Sequence, residues 1–181
     1  EEGYSIYEAA EVLPKYNAKK GNVPIYCYRR AMKYRILALD DGSGQLDLYI
    51  QKKDAANNWA KLIKIEGEVN SSKNEAFGFY DEESQTLYFS SEANSIGGYD
   101  LFQVQLDLQT GKSSKLERLP YPYASPDDDL LFVMDRTRGQ VYFSSNRAGQ
   151  AGRCEIYSLA LDQEKQTPFV FAGTFSNQND N

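Results

Sequence analysis

The 181-residue chain contains no histidine, two cysteines, two methionines and one tryptophan. Without histidine it has no Ser-His or Cys-His nucleophile pair, no HExxH zinc site and no histidine general base. Cys27 and Cys154 are too few for a tetrahedral metal site unless carboxylates complete it. They could form a disulfide or remain as two buried free thiols, and the sequence leaves both alternatives open. We therefore expect no catalytic residues, no metal site and no cofactor.

Long apolar runs and an excess of positive charge are missing as well. No apolar stretch approaches the roughly 18 residues that a membrane-spanning helix needs, so we expect a chain that does not span a membrane. The net charge of −6 argues against nucleic acid as a partner, because such binding depends on neutralising phosphates. No signal-peptide pattern is visible and the chain begins at Glu1, which we interpret as a processed or excised fragment.

Aromatic residues are abundant, with 14 tyrosines and 9 phenylalanines. Both residue types favour strands, so the composition indicates β structure. A charged fraction of 25% and a hydrophobic fraction of 41% are those of an ordinary globular protein. The length allows one domain with a sizeable core, or at most two domains.

An internal repeat is the most informative feature. The segment QTLYFSSEANSIGGYDLF (85–102) has a close counterpart in GQVYFSSNRAGQAGRCEIY (139–157). Short aromatic and β-branched runs separated by turn signals predict four strands around each copy. The predicted strands are 75–80, 86–91, 99–106 and 115–119, then 130–134, 141–145, 154–161 and 168–171. A weaker copy predicts strands at 25–28, 34–39, 47–50 and 59–63, and 3–7 has the pattern of the end of another copy.

Each copy contains a tripeptide of an acidic or small polar residue, an aliphatic residue and an aromatic residue. The four are Ser5-Ile6-Tyr7, Asp47-Leu48-Tyr49, Asp100-Leu101-Phe102 and Glu155-Ile156-Tyr157, at spacings of 42, 53 and 55 residues. Four-stranded units at such spacings are typical of propeller blades. The aliphatic and aromatic members need opposite faces, which suits a sheet packed between two neighbours. We expect a structural role for the acid, which could accept bonds from turn amides or pair with a residue such as Arg147.

The pattern YFSS-x-R-x-G…G-x-[DE]-[IL]-Y resembles the WD40-like repeat of TolB-type β-propellers. The second copy keeps Arg147 and Gly149, whereas the first has Ala93 and Ser95 in their places. The connection Ala124-Ser125-Pro126-Asp127-Asp128 is similar to the NSPxDD element that links blades in envelope propellers of Gram-negative bacteria. The resemblance covers about residues 70–171. It implies an all-β propeller fold, a periplasmic, outer-membrane-associated or secreted location, and no shared catalytic residues.

These repeats divide the chain into a partial blade at 1–20, blades at 21–66, 70–119 and 124–173, and a tail at 174–181. Three blades and a fragment do not close a ring by themselves, since propellers usually have four to eight blades. Either the N-terminal residues contribute to a fourth blade, or the chain belongs to a longer propeller.

Three other features have a possible chemical role beside a structural one. The carboxylates of 127–129 could bind Ca²⁺, although their spacing does not match an EF-hand and blade-linking turns explain them as well. Residues 15–35 carry seven basic residues and no acid, which indicates either an anion-binding surface or solvent-exposed charge. Trp59 could stack on a sugar ring or pack within a sheet.

We predict a non-enzymatic binding or scaffolding module that engages a protein or cell-wall component through the loops 92–99 and 146–153. The candidate binding residues are Asn94, Ile96, Gly97, Tyr99, Arg147, Gln150 and Arg153. The structural anchors are Asp47, Tyr49, Asp100, Phe102, Glu155 and Tyr157. One alternative is a carbohydrate-binding or glycoside-cleaving propeller that uses carboxylates and aromatics in a central funnel. Another is that the chain only extends a longer propeller.

Overall fold

The computed structural model describes residues 4–8, 25–29, 33–40, 42–148 and 154–161, and for 4–8 and 25–29 it describes the backbone alone. The described residues form strands and turns, which confirms the all-β prediction. The strands are β1 (Tyr4–Glu8), β2 (Ile25–Arg29), β3 (Tyr34–Asp40), β4 (Leu46–Lys52), β5 (Ile63–Lys64), β6 (Glu75–Asp81), β7 (Thr86–Ser91), β8 (Asp100–Gln105), β9 (Glu117–Arg118), β10 (Asp129–Asp135), β11 (Gln140–Ser145) and β12 (Glu155–Ala160).

The strands pair into antiparallel sheets in chain order. Sheet 1 is β1-β2, sheet 2 is β3-β4-β5, sheet 3 is β6-β7-β8-β9 and sheet 4 is β10-β11-β12. Sheet 3 confirms the four strands predicted around the first copy of the repeat. Sheet 4 contains three of the four strands predicted around the second copy, and the fourth, at 168–171, lies outside the described residues.

The weaker copy differs from its prediction in two respects. The strand predicted at 59–63 is reduced to β5 at Ile63–Lys64, and Trp59 forms only an isolated bridge with Lys53. The segment predicted as its first strand is β2, which forms its ladder with β1 from Tyr4↔Arg29 to Glu8↔Ile25. Although β2 lies beside β3, the two belong to different sheets. Strand 3–7, predicted as the end of another copy, is therefore the partner of β2, a pairing that no local sequence pattern indicates.

The registers make sheets 2, 3 and 4 structurally equivalent. The tripeptide acids Asp47, Asp100 and Glu155 lie opposite the last buried position of the preceding strand, at Leu39, Ser91 and Ser145 respectively. In sheets 3 and 4 the equivalence extends to the backbone. The first strands carry a register shift at the same place, and Phe77 and Leu131 there share a φ of 54°. The repeat is therefore a repeat of geometry as well as of sequence.

Sheet 3 is packed on both faces. Its face toward sheet 2 forms the first core layer, and its face toward sheet 4 forms the second. The first layer includes Ile36, Leu48, Ile50, Tyr80, Leu87, Phe89, Phe102 and Val104. The second includes Phe79, Tyr88, Leu101, Leu119, Tyr123, Phe132, Met134, Val141 and Phe143. Phe102 and its neighbour Leu101 thus lie in different layers, as predicted for the tripeptide.

The two layers are filled by different side chains at equivalent positions. In the second layer Tyr88 stacks on Phe132, with ring centroids 4.2 Å apart. By strand register, Ile36 in sheet 2 is equivalent to Tyr88 in sheet 3. Gly78 in sheet 3 is likewise equivalent to Phe132 in sheet 4. A β-carbon on Gly78 would lie 2.5 Å from Cγ2 of Ile36. A small residue at position 78 therefore lets sheets 2 and 3 approach each other.

Among the residues that the structure describes, no helix has the length and apolar character needed to cross a membrane.

Candidate functional site

The loops predicted to bind a partner lie at one end of sheets 3 and 4. At this end the connection from β9 to β10 meets the loop between β7 and β8 and the first residues after β11. We call this surface the loop face and define it as residues 92–99, 120–128 and 146–148. Gln150 and Arg153, also predicted to bind, lie outside the described residues.

The tripeptide acid fixes the base of the loop face. Asp100 is buried, and its Oδ2 accepts a hydrogen bond of 2.8 Å from the Ile96 backbone N–H. Its Oδ1 lies 2.9 Å from an Arg118 guanidinium nitrogen. Asp47 repeats the second contact with Lys64 Nζ at 2.6 Å. These contacts hold the two acids within their own sheets, and the cations come from the last strand of the sheet and not from Arg147.

Two glycines in the 92–99 loop allow close contact with the next connection. A β-carbon on Gly97 would lie 2.0 Å from the carbonyl oxygen of Pro126, and one on Gly98 would lie 1.7 Å from Asp128 Oδ1. Tyr99 then donates its backbone N–H to Asp128 Oδ1 at 2.9 Å, and its carbonyl accepts from Asp129 N–H at 2.7 Å. Gly97 and Tyr99, predicted as binding residues, thus hold the loop against the neighbouring connection.

Arg147, another predicted binding residue, has its guanidinium engaged by neighbouring groups of the protein. Its guanidinium donates to Asp129 Oδ1 at 2.6 Å, to Ser145 Oγ at 2.9 Å and to the Pro122 carbonyl at 2.6 Å. It also lies over the rings of Phe143 and Tyr157. Because Asp129 is fully buried, this pair is a structural tie between β10 and β11.

Sheet 3 has a buried acid at the same place but no arginine, since Ala93 replaces Arg147. Glu75 is fully buried and accepts bonds from the backbone N–H of Ser71 at 3.1 Å, from Ser71 Oγ at 2.5 Å and from Ser91 Oγ at 2.9 Å. Burial raises the pKa of this carboxyl above its ordinary value, although the serine bonds oppose the rise. Hydroxyl groups thus take over part of the role of the missing guanidinium.

Large apolar side chains project from this fixed backbone. Ile96 is 65% exposed and Tyr121 is 83% exposed. Asn94, next to Ile96 in the loop, is exposed and has a φ of 54°. Tyr121 was not predicted as a site residue. Its position between Pro120 and Pro122 is the available signal, since prolines on both sides keep a tyrosine out of a paired strand.

The loop face carries three carboxylates, Glu92, Asp127 and Asp128, and Glu155 begins β12 at the same end of sheet 4. None of the four has an ion-pair partner in the described part of the chain. Glu92 accepts a bond from the Asn74 amide at 2.7 Å, and Asp128 accepts one from the Asn146 amide at 3.1 Å. Together with the burial of its ring, the acids Glu92, Glu75 and Asp128 raise the pKa of Tyr99. The loop face is therefore acidic.

The remaining candidate features have structural explanations. In the ranges that the structure covers, no three acids or cysteines are grouped to hold a metal ion. Trp59 packs against the Arg35 guanidinium, 4.0 Å from its ring centroid, and against Lys53 Nζ at 5.1 Å. Cys154 is a free thiol and is exposed, so the expectation of burial is wrong for this residue. The Cys27 side chain and most of the basic segment 15–35 lie outside the described residues.

A cleft of about 600 Å³ lies at the opposite end of sheet 3. It is lined by Tyr80, Gln85, Gln105, Leu106, Asp107, Leu108, Gln109, Lys112 and Ser114. It provides a second surface against which the loop face can be compared by mutagenesis.

Comparison with protein-family models and with curated protein sequences found no match to this chain.

Proposed function

We propose that the chain is a WD40-like β-propeller or part of one, and that it serves as a non-enzymatic binding or scaffolding module of the bacterial cell envelope. Its partner would be a protein or cell-wall component bound at the loop face. The location, periplasmic, outer-membrane-associated or secreted, follows from the resemblance of the repeats. The blade boundaries at 21–66, 70–119 and 124–173 belong to the same proposal, although β2 of the first range pairs with β1 and does not join sheet 2.

The stacking of the sheets supports the propeller. Sheet 3 lies between sheets 2 and 4 with both faces buried, as a blade lies between its neighbours. Its first strand, β6, contacts both β3 and β10. The equivalent tripeptides turn their aliphatic residues the same way, because Leu48 and Leu101 both face the following sheet.

The observation that carries the binding role is a fixed loop with exposed apolar side chains. Gly97 and Asp100 hold the loop backbone, so a partner would not have to order it. Ile96 and Tyr121 nevertheless remain mostly exposed. Exposed apolar groups on a rigid scaffold are typical of binding surfaces.

The charge of the loop face narrows the chemistry of the partner. Its unpaired carboxylates favour a partner that presents basic groups beside apolar ones, because complementary charge speeds association and selects the orientation. The other acids at this end are engaged, since Asp100 and Asp129 are tied to Arg118 and Arg147. Because Asp100 and Asp129 are already paired with arginines, a structural role of these carboxylates is favoured over general acid–base catalysis.

The proposal is tested by comparing loop-face and control variants in binding to two probes, isolated peptidoglycan sacculi and an outer-membrane protein extract. The loop-face variant combines Ile96→Ser with Tyr121→Ser. The control combines Gln85→Ser with Lys112→Ala, both at the opposite end of sheet 3. We expect the loop-face variant to lose at least about tenfold in affinity for one probe, as exposed aromatic anchors do. Equal binding by both variants and the wild type would contradict the proposal.

A further inference from the structure

The outward face of sheet 4 presents an aliphatic residue that its equivalents bury. Leu48, Leu101 and Ile156 lie opposite Ala38, Ser90 and Ser144, the same register position in three sheets. Leu48 and Leu101 are completely buried by the sheet that follows, whereas Ile156 is 66% exposed. The outward face of sheet 4 therefore has an apolar residue typical of a buried layer, although no sheet in the described part of the chain packs on it.

Among the described residues, Tyr142, on the same face of sheet 4, lacks the ring contact that the equivalent tyrosine of sheet 3 makes. Tyr142 lies at the position of Tyr88, since both begin the sequence Tyr-Phe-Ser-Ser in the second strand of their sheet. Tyr88 stacks on Phe132 of the following sheet, with the ring centroids 4.2 Å apart. Within the described ranges, Tyr142 is half-buried and has no ring partner.

In the first and second core layers, some of the packed side chains come from the connection that follows the last strand of a sheet. After β5, Ile65 and Val69 enter the first layer, and after β9, Leu119 and Tyr123 enter the second. In both cases the two apolar residues are four positions apart. Two positions after the second of them, Ser71 and Ser125 donate their backbone N–H to the buried acids Glu75 and Asp129.

The C-terminal residues, which lie outside the described part, repeat this pattern. Phe171 and Phe175 have the same spacing of four. Asp180 follows Phe175 by five residues, as Asn74 follows Val69 and Asp128 follows Tyr123. The segment 171–181 thus has the sequence of a sheet-to-sheet connection.

We propose that residues 171–181 dock on the outward face of sheet 4, with Phe171 and Phe175 in the places of Leu119 and Tyr123 and in contact with Ile156 and Tyr142. The segment forms the first part of a third core layer. This inference does not rest on the binding role of the loop face.

The test measures unfolding of the full chain in urea and uses two isoleucines of equal exposure. Ile156→Ala is expected to raise the unfolding equilibrium constant at least about tenfold, because truncating a packed isoleucine leaves a cavity. Ile96→Ala, 65% exposed against 66% for Ile156, changes it by no more than about twofold, as for an isolated surface residue. In a Phe175→Ala background the effect of Ile156→Ala falls to about twofold, because the contact is already lost.

Phe175→Leu keeps an apolar side chain and preserves a folded variant in which the coupling is smaller but present. If Ile156→Ala is as silent as Ile96→Ala, or if its effect is unchanged in both Phe175 backgrounds, the inference is overturned. An unfolding midpoint that shifts with protein concentration would also overturn it, because a second copy would then be the cover.

Discussion

Replacing Arg147 by alanine is the most informative single change. The substitution removes three hydrogen bonds, to Asp129, Ser145 and the carbonyl of Pro122. It leaves the buried Asp129 carboxylate with the Ser125 backbone N–H, at 2.5 Å, as its remaining hydrogen-bond donor among the described residues. The guanidinium also packs over two aromatic rings, so apolar contact is lost along with charge.

Removing one partner of a buried ion pair costs about 3 kcal/mol or more, because the other charge is left without compensation. Arg147 keeps a side-chain exposure of 17% and water can reach the vacated space, so we expect the lower end, about 3 kcal/mol. This corresponds to an unfolding constant raised by roughly a hundredfold.

Urea unfolding at pH 7 measures this cost, with Arg138→Ala as the matched control. Arg138 pairs with Asp135 at 3.5 Å but is 70% exposed, so its loss should cost less than about 0.5 kcal/mol. A double variant with Asp129→Ser should recover part of the Arg147→Ala loss, because the uncompensated charge is then gone. If Arg147→Ala is no more costly than Arg138→Ala, the tie between β10 and β11 has been misjudged.

Three further predictions concern packing and pH. Gly78→Ala should lower the free energy of unfolding by about 1 to 3 kcal/mol, because its β-carbon would lie 2.5 Å from Ile36 Cγ2. The loss should be smaller in an Ile36→Ala background, and equal losses in urea unfolding would refute the contact. Arg136 lowers the pKa of Asp81 from 3.8 to about 2, so the pair stabilises the fold above pH 3.8, and that stability is lost as the pH falls toward 2. Arg136→Ala should lower the free energy of unfolding by at most about 2 kcal/mol at pH 7 and weaken its dependence on pH between 3.8 and 2. An unchanged dependence on pH in this range would count against the pair. Burial raises the pKa of Glu75 above its ordinary 4.5, so ionisation opposes folding and stability falls as the pH rises above that value. Glu75→Gln should remove this dependence in unfolding curves between pH 4 and 8, whereas an identical slope would show that another group is responsible.

The strands of sheet 3 were predictable because local signals agree there. The run at 86–91 is aromatic and β-branched, the residues from Tyr99 to Leu106 alternate, and a turn signal follows at 107–112. The two-sided burial followed from the tripeptide, in which adjacent residues are both apolar. Leu101 and Phe102 can both be buried only if both faces of the sheet are covered.

Contacts between elements were not predictable in the same way. Arg118 lies in a strand of two residues, and nothing near it in sequence identifies Asp100, 18 residues earlier, as its partner. The pairing of β2 with β1 depends on a long connection whose sequence carries no pairing signal. Register and long-range ion pairs are set by tertiary packing, which local patterns do not encode.

In the candidate site, too, the loop was predictable from the sequence but its contacts were not. The loop 92–99 was identified from its sequence, but its glycines were interpreted as part of a binding surface. Their function in the structure is to admit Pro126 and Asp128, because a glycine leaves room for a neighbouring backbone. Tyr121 lies on a connection outside the repeated segment, so the repeat could not point to it.

The most direct test of the proposed function is site-specific photo-cross-linking of the full chain within a Gram-negative envelope. A photoreactive residue is placed at position 96 on the loop face, at position 121 beside it, or at position 112 at the opposite end of sheet 3. The account predicts one discrete cross-linked product shared by positions 96 and 121 and absent at 112. Equal labelling from all three positions, or a discrete product from 112 alone, would contradict it.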